Sequence, residues 1–189
     1  AIGRTFAEAR QKGLRIINIG IDGVASNKPR DVENLDDALR NPTDKRIFCI
    51  EEAFKKGYTV DQLYDLTKID RWFIQKLRYI HECSEELKKY DDIQSLPLNL
   101  LRSAKQMGFS DFQVAKIVCK EPSLVESIQH EVRRIRKSNG IVPCVKQIDT
   151  LAAEYPAQTN YLYITYNGTE NDVNYLGDHK SVIGLGSGA

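Results

Sequence analysis

Apolar positions recur at helical spacing over most of the first 140 residues and at strand spacing only after that. In residues 5–17, Phe6, Ala9, Gly13, Leu14 and Ile17 share one helical face, with Arg4, Glu8, Arg10, Lys12 and Arg15 mostly off it. Residues 18–33, punctuated by Gly20, Gly23, Asn27 and Pro29, read as loop. Asn34 stands where it would cap a short helix over residues 35–40. Asn41 followed by Pro42 predicts the next helix start, because proline suits the first helical position. That helix carries Ile47, Phe48, Ile50, Ala53 and Phe54, and Gly57 stops it.

An internal repeat follows. Gly57-Tyr58-Thr59-Val60-Asp61-Gln62-Leu63 returns as Gly108-Phe109-Ser110-Asp111-Phe112-Gln113-Val114. Each copy has a helix-stopping glycine, an aromatic residue, and Thr or Ser with Gln three positions on, the spacing of a capping box. Each is preceded by an apolar helix and followed by a longer amphipathic one, capped by Asp70 in the first copy and Ser123 in the second. The long helices run to about Tyr90 and Asn139, with Gly140 as the second stop. The two units of helix, short helix and long helix are expected to pack on one another around Trp72, Phe73, Leu77, Leu100, Phe109 and Phe112.

After Gly140 the period changes. Ile141-Val142-Pro143-Cys144-Val145 is β-branched, Tyr161, Tyr163 and Thr165 alternate with Leu162, Ile164 and Tyr166, and Asn167-Gly168 is a turn dipeptide. The stretch 145–166 reads as a packed bridge between two folded units, since a loop needed only for reach would not carry so many apolar and small residues. Residues 181–188 read as a buried strand entering a glycine turn, as at the start of an α/β nucleotide-binding domain. The expected fold class is therefore mainly α. It comprises the closing helix of an upstream unit (1–20), a helical domain of two repeated units (21–140), a connecting segment (141–180) and the first strand of a truncated α/β domain (181–189). Both ends read as cut from something longer.

Composition removes several functions. Twenty-seven basic and 26 acidic residues leave a formal charge of +1, so no global field steers the chain to nucleic acid or membrane. No apolar run approaches the roughly 18 residues of a membrane span. Cys49, Cys83, Cys119 and Cys144 are widely spaced and read as buried free thiols. His81, His130 and His179 form no metal-spaced pair, so no metal site is expected. Gly184, Gly186 and Gly188 alone resemble a phosphate cradle, which would need a following helix; tight strand–turn packing explains them as well. The acidic pairs Glu51-Glu52, Glu85-Glu86 and Asp91-Asp92 read as solvated faces. Asp149 and Glu154 have more apolar neighbours, and a cap or a salt bridge to Lys146 is their first reading. The basic cluster Arg133-Arg134-Ile135-Arg136-Lys137 admits a helix-turn-helix reading, but the same charges suit the C-terminal end of a long helix. No serine or cysteine stands in a nucleophile setting.

Longer motifs carry a resemblance. Ala1-Ile2-Gly3-Arg4-Thr5-Phe6 with Glu8, Gln11-Lys12 and Leu14-Arg15, then Asn41-Pro42-Thr43-Asp44-Lys45-Arg46-Ile47, resemble the large chain of carbamoyl-phosphate synthetase. So do Leu66-Thr67-Lys68-Ile69-Asp70-Arg71-Trp72-Phe73, Gly108-Phe109-Ser110-Asp111, Val145-Lys146-Gln147-Ile148-Asp149-Thr150 and Ala152-Ala153-Glu154-Tyr155-Pro156-Ala157-Gln158-Thr159-Asn160-Tyr161. The likeness is to the end of the first ATP-grasp half, the helical oligomerisation domain and the connection into the second half, in eukaryotic more than bacterial form. The chain departs from that pattern at Ala7, Ala9-Arg10, Gly13 and Gly184. The resemblance implies a parent ATP-dependent ligase that makes carbamoyl phosphate from bicarbonate, ATP and ammonia released from glutamine, for pyrimidine or arginine biosynthesis. It implies ATP and Mg or Mn in the parent, but no catalytic, cofactor-binding or metal-binding residue within this fragment, which alone would be inactive. The implied partners are the two synthetase halves, a second copy, and a glutaminase small chain or domain, with no nucleic acid and no membrane. Its implied place is the cytoplasm or, alternatively, the mitochondrion. Asp149 and Glu154 become candidates for a tunnel or linker role. The competing reading is a stand-alone helical protein–protein interaction module.

Overall fold

The computed structural model describes residues 1–17, 19–25, 27, 32–151, 154–155 and 161–173. Within them the chain forms α1 (Phe6–Ile16), α2 (Leu35–Arg40), α3 (Arg46–Lys55), α4 (Val60–Thr67), α5 (Arg71–Leu87), α6 (Leu98–Gln106), α7 (Asp111–Val118) and α8 (Val125–Ser138). Two strands follow, β1 (Cys144–Ile148) and β2 (Tyr161–Thr165), paired antiparallel with Cys144 opposite Thr165 and Ile148 opposite Tyr161. The expected mainly helical class holds.

The repeat is real in three dimensions. α3, α6 and α8 all end the same way, with glycine in the left-handed region at Gly57, Gly108 and Gly140. In each, the amide of the next residue donates to a carbonyl five residues back: Tyr58 to Ala53 (3.0 Å), Phe109 to Ala104 (3.0 Å) and Ile141 to Arg136 (2.7 Å). This is the Schellman closure, and each residue after the glycine folds back onto its helix. Thr59 and Gln62 make the expected reciprocal capping box at the start of α4. At α7 only half of it forms: Ser110 accepts from the Gln113 amide, but the Gln113 side chain is fully buried and bonds elsewhere.

α5 is the central helix, packed on α1, α3, α4, α6 and α7. Its buried stripe is Ile74, Leu77, Ile80, Cys83 and Leu87. Leu63, Leu101, Ala104, Phe109, Val114, Val118 and Val132 fill the space between the copies. Phe109 and Leu77 are core, as expected; Leu100 and Phe112 are partly buried against it. Trp72 and Phe73 are not in this core: they are 53% and 44% exposed. Both ring systems lie on the flank of α5 that meets α1, where Phe6 contacts Trp72 at 5.8 Å and Phe73 at 5.5 Å.

Two helix starts also differ from expectation. Asn41 does not open α3; its amide closes α2 on the Asp37 carbonyl (2.9 Å). The Arg46 guanidinium then donates to the Leu39 and Arg40 carbonyls (both 2.8 Å), so residues 41–45 turn back before α3 begins. Ser123 does not cap α8. It lies in a single 3-10 turn, Pro122–Leu124, and its hydroxyl donates to Glu121 (2.8 Å) instead of accepting from a helix amide. Asn34 and Asp70 cap α2 and α5 as expected.

Candidate functional site

The strand pair is joined to the helical body by a buried polar network with Glu8 at its centre. Thr5 caps α1 by accepting from the Glu8 amide (3.2 Å), which directs the Glu8 side chain inward, where it is 1% exposed. Its carboxylate accepts four hydrogen bonds: from the Arg4 amide (2.9 Å), Lys12 Nζ (2.8 Å), the Thr165 hydroxyl (2.9 Å) and Asn167 Nδ2 (3.0 Å). Burial alone would raise the Glu8 carboxyl; Lys12 and the other donors outweigh it and hold the pKa below the ordinary range. Lys12 extends the link, donating also to the Ile164 carbonyl (2.6 Å), and Asn167 donates to the Gln106 carbonyl (2.8 Å). One carboxylate thus ties α1 to β2 and, through Asn167, to the end of α6.

Next to it lies a second layer. Gln11 accepts from the Val24 amide (2.9 Å), and Gln113 donates to the Ala25 carbonyl (3.1 Å). These two fully buried amides fix the loop after α1 against α7. The Arg15 guanidinium donates to the Gly108 carbonyl (2.8 Å) and the Asp22 carbonyl (3.3 Å). Burial lowers the pKa of Arg15, with Asp22 opposing.

The third layer is ionic. Asp111, at the start of α7, pairs with Lys105 of α6 (2.7 Å) and with Arg136 of α8 (2.9 Å), both cations buried. Lys105 also donates to the Phe109 carbonyl (2.7 Å). The Tyr166 ring covers the pair, with Lys105 Nζ 5.0 Å and the Arg136 guanidinium carbon 5.6 Å from its centroid. Burial pushes Lys105 down to about 8; Asp111 opposes this, and the charges of Arg136 and Arg15 add to it.

The strand pair's outer edge is closed by the segment after it. Asn171 accepts from the Val145 amide (2.8 Å) and Asp172 from the Gln147 amide (3.0 Å), while the Asp172 amide donates to the Val145 carbonyl (2.9 Å). Asp172 also pairs with Lys146 (2.7 Å). Lys146 therefore does not pair with Asp149 or Glu154, as the sequence suggested. Asp149 instead accepts from the Leu151 amide (2.9 Å), and both carboxylates are exposed. Gly184, Gly186 and Gly188 lie outside the described residues.

Sequence reasoning missed most of this network. The sequence puts Glu8 off the apolar face of the first helix and Gln113 in a capping box, yet both are buried, whereas Ile17 of that apolar face is exposed. Glu51 is also buried, beside His81 Nδ1 at 3.2 Å, with His81 stacked on Phe54. The basic cluster on α8 gives up Arg136 to Asp111 and Arg134 to Glu131. The one signal that could have been used is the repeat itself: Gln113 sits in a capping-box position but is followed by Val114 and Ala115, both buried. Among the described residues no three of His, Cys, Asp and Glu come together to hold a metal, and no helix is long and apolar enough to cross a membrane.

Nothing in this network has the arrangement of a nucleophile or an acid–base pair facing a cavity. It ties α1, the loop after it, α6, α7, α8 and the strand pair together. Residues 1–140 match the family described as carbamoyl-phosphate synthetase large chain, oligomerisation domain. The whole chain is 46% identical to multifunctional protein ura1 of Schizosaccharomyces pombe, covering 8% of that protein. Over 98% of the chain it is 45% identical to multifunctional protein CAD of Squalus acanthias, again 8% of the relative. It is 42% identical to the mitochondrial arginine-specific carbamoyl phosphate synthase large chain of Neurospora crassa, along its full length and 15% of that relative.

Proposed function

The chain belongs to the carbamoyl-phosphate synthetase large-chain family, as its oligomerisation domain with the segment that follows, and we propose that it works as the joint of a much longer polypeptide. That polypeptide is a ligase forming carbamoyl phosphate from bicarbonate and ATP with nitrogen from glutamine or ammonia. The chain links its two synthetase halves and supplies contacts between subunits. The observation that carries this reading is the match along the entire chain, strand pair included, to relatives of which it spans 8 to 15%. A stand-alone helical module would have no reason to match such proteins beyond its helices, through the strand pair.

ATP and the Mg or Mn belong to the parent in this reading; among the described residues no three of His, Cys, Asp and Glu gather to hold the metal, and no chemical step is derived through either. Asp149 and Glu154 are assigned to the linker face turned toward the rest of the parent. The glutaminase, as a small chain or a fused domain, is a partner of the parent. The parent is assigned to the cytoplasm; the mitochondrion is the second reading, because an arginine-specific relative is described as mitochondrial. Whether it serves pyrimidine or arginine synthesis is decided by the chemistry downstream of carbamoyl phosphate.

An antibody raised against the chain tests the proposal. In source-cell lysate it is expected to detect a polypeptide far larger than 21.5 kDa, and the captured protein to form carbamoyl phosphate from labelled bicarbonate only when ATP is present. A band near 21.5 kDa, with no such activity in the capture, would establish the stand-alone interaction module instead.

A further inference from the structure

The two edges of the strand pair are treated differently. On the β1 edge the Val145 amide and carbonyl and the Gln147 amide point away from β2 and are taken by Asn171 and Asp172. Val145 stands opposite Ile164, and Gln147 opposite Leu162. Opposite residues of an antiparallel pair either exchange hydrogen bonds or both turn their main-chain groups outward. The main-chain groups of Leu162 and Ile164 therefore point outward along the β2 edge. The Ile164 carbonyl accepts from Lys12 (2.6 Å). The Leu162 amide and carbonyl and the Ile164 amide have no partner among the described residues.

The side chains beside this edge are bare as well. Leu162 and Ile164 share an open groove of about 630 Å³ with Ile2 and Ile16, and all four are exposed. Unpaired main-chain groups flanked by exposed aliphatic side chains are a template for an added strand. A docked helix would leave those groups unpaired, so the occupant that fits is extended backbone. The groove's two cations are not placed to select an acidic partner. Lys12 spends its three donors on Glu8, Ile2 and Ile164, and Arg15 is turned to the Gly108 and Asp22 carbonyls. Recognition is left to backbone pairing and aliphatic contact.

Lys12 also indicates which backbone arrives there. Its ammonium donates to the Ile2 carbonyl (3.1 Å) as well as to that of Ile164, and so holds the two carbonyls side by side. Ala1 lines the same groove with Leu162 and Tyr163. We propose that the free edge of β2 is completed by a third strand, supplied by the segment of the parent polypeptide directly upstream of Ala1, with its apolar side chains seated against Ile16, Leu162 and Ile164. This rests on the reading of the chain as the joint of a longer polypeptide, and it adds which part of that polypeptide the exposed edge receives.

The test is hydrogen–deuterium exchange of the intact parent, resolved to single amides across residues 161–165. The Tyr163 amide bonds across to β1 in any case and serves as the internal standard. Leu162 and Ile164 are expected to exchange within about tenfold of Tyr163. In a parent whose few residues before Ala1 are replaced by alternating glycine and proline, exchange at those two amides should rise about a hundredfold, with Tyr163 unchanged. Ile16→Asp puts a charge in the groove wall at a position the chain itself leaves exposed, and should do the same. Fast exchange at Leu162 and Ile164 in the wild-type parent overturns the proposal, because the edge is then open. Protection that survives both variants, or that appears only on raising the protein concentration, also overturns it and assigns the edge to another part of the parent or to a second copy. The joint reading fails on a different result, a native band near 21.5 kDa, which would leave no upstream strand to dock.

Discussion

Gly57 and Gly108 occupy the same place in the two repeats, yet they carry different loads. Both are left-handed, at φ +83° and +91°, where any side chain is strained by about 1–2 kcal/mol. At Gly57 an added Cβ would meet nothing within 4 Å, whereas at Gly108 it would lie 2.9 Å from the Glu8 Cα and 3.2 Å from the Glu8 carbonyl oxygen. Gly57→Ala is therefore expected to cost about 1 kcal/mol, and Gly108→Ala roughly twice that or more, since backbone must move. Chemical denaturation of the two variants checks the ratio; equal costs would mean that α1 does not press on the second repeat. Glu8→Ala leaves Lys12, Asn167 and the Thr165 hydroxyl facing an empty space, and by the usual cost of breaking a buried ion pair should destabilise by about 3–5 kcal/mol. The wild-type contribution of Glu8 has a clear sign with pH. Its folded pKa is lowered, so the stabilisation is present above the ordinary carboxyl pKa and is lost as pH falls through the folded value. Glu8→Gln should flatten that acid limb. The repeat was legible because glycines and caps recur as letters. The inward turn of Glu8 and Gln113 was not, because nothing in a polar letter tells which side of its helix another element will cover.

The elements themselves followed the hydrophobic period well, and failed where a side chain reached back. α3 starts late because Arg46 satisfies the end of α2, and α8 starts late because Ser123 bonds to Glu121. Caps read from sequence assume that the backbone turns into a helix directly after the capping residue, and here Asn41 closes the preceding helix while Ser123 lies inside a 3-10 turn. The strands were legible by alternation, but their burial was not: Leu162 and Ile164 of β2 are exposed while Thr165 is fully buried on Glu8. The α6–α7–α8 ionic cluster makes a prediction at this scale. Lys105 titrates near 8 in the folded chain, against 10.5 as its ordinary value. Below pH 8 both states hold the proton, and the cost of burying the charge is constant. Between pH 8 and 10.5 the folded state releases it first, the unfolded state binds more protons, and stability rises with pH. Cys83 works in the opposite direction, because burial pushes its thiol up to about 12 from 9. From pH 8 to 9 the lysine's gain of about 1 kcal/mol exceeds the thiol's loss of a few tenths, so wild type should gain roughly half a kcal/mol over that unit while Lys105→Met loses a few tenths. Urea midpoints at closely spaced pH values decide it; a wild type that loses stability across that interval would show that Lys105 is not buried as a cation.

At the scale of the whole molecule the two repeats have parted roles. The first copy turns its α3–α4 corner to solvent, with Gly57 open and Gln62 bound in its own capping box. The second spends the equivalent corner on α1, on the loop after it and on the end of β2, through Gln113, Lys105 and Gly108. A helical module that needed only to stand alone could keep both corners alike. A joint cannot, because one side must grip the chain that passes through it. The same asymmetry explains why Ile2, Ile16, Leu162 and Ile164, which line an open groove of about 630 Å³ beside Lys12 and Arg15, remain uncovered on the gripped side. Exposed aliphatic residues gathered in this way mark a face that meets another surface. If that surface belongs to the rest of a longer polypeptide, the linker carboxylates beyond β1 should change their exposure with it. Carbodiimide footprinting is expected to modify Asp149 and Glu154 readily in the isolated chain, where both are exposed, and to modify them several-fold more slowly in the parent. Surface carboxylates on the first repeat, such as Asp61 and Asp65, are expected to react alike in both and serve as the internal standard. Equal reactivity at Glu154 in chain and parent would remove it from any tunnel or packed linker, and would leave the grip around Glu8 as the part of the joint that does the holding.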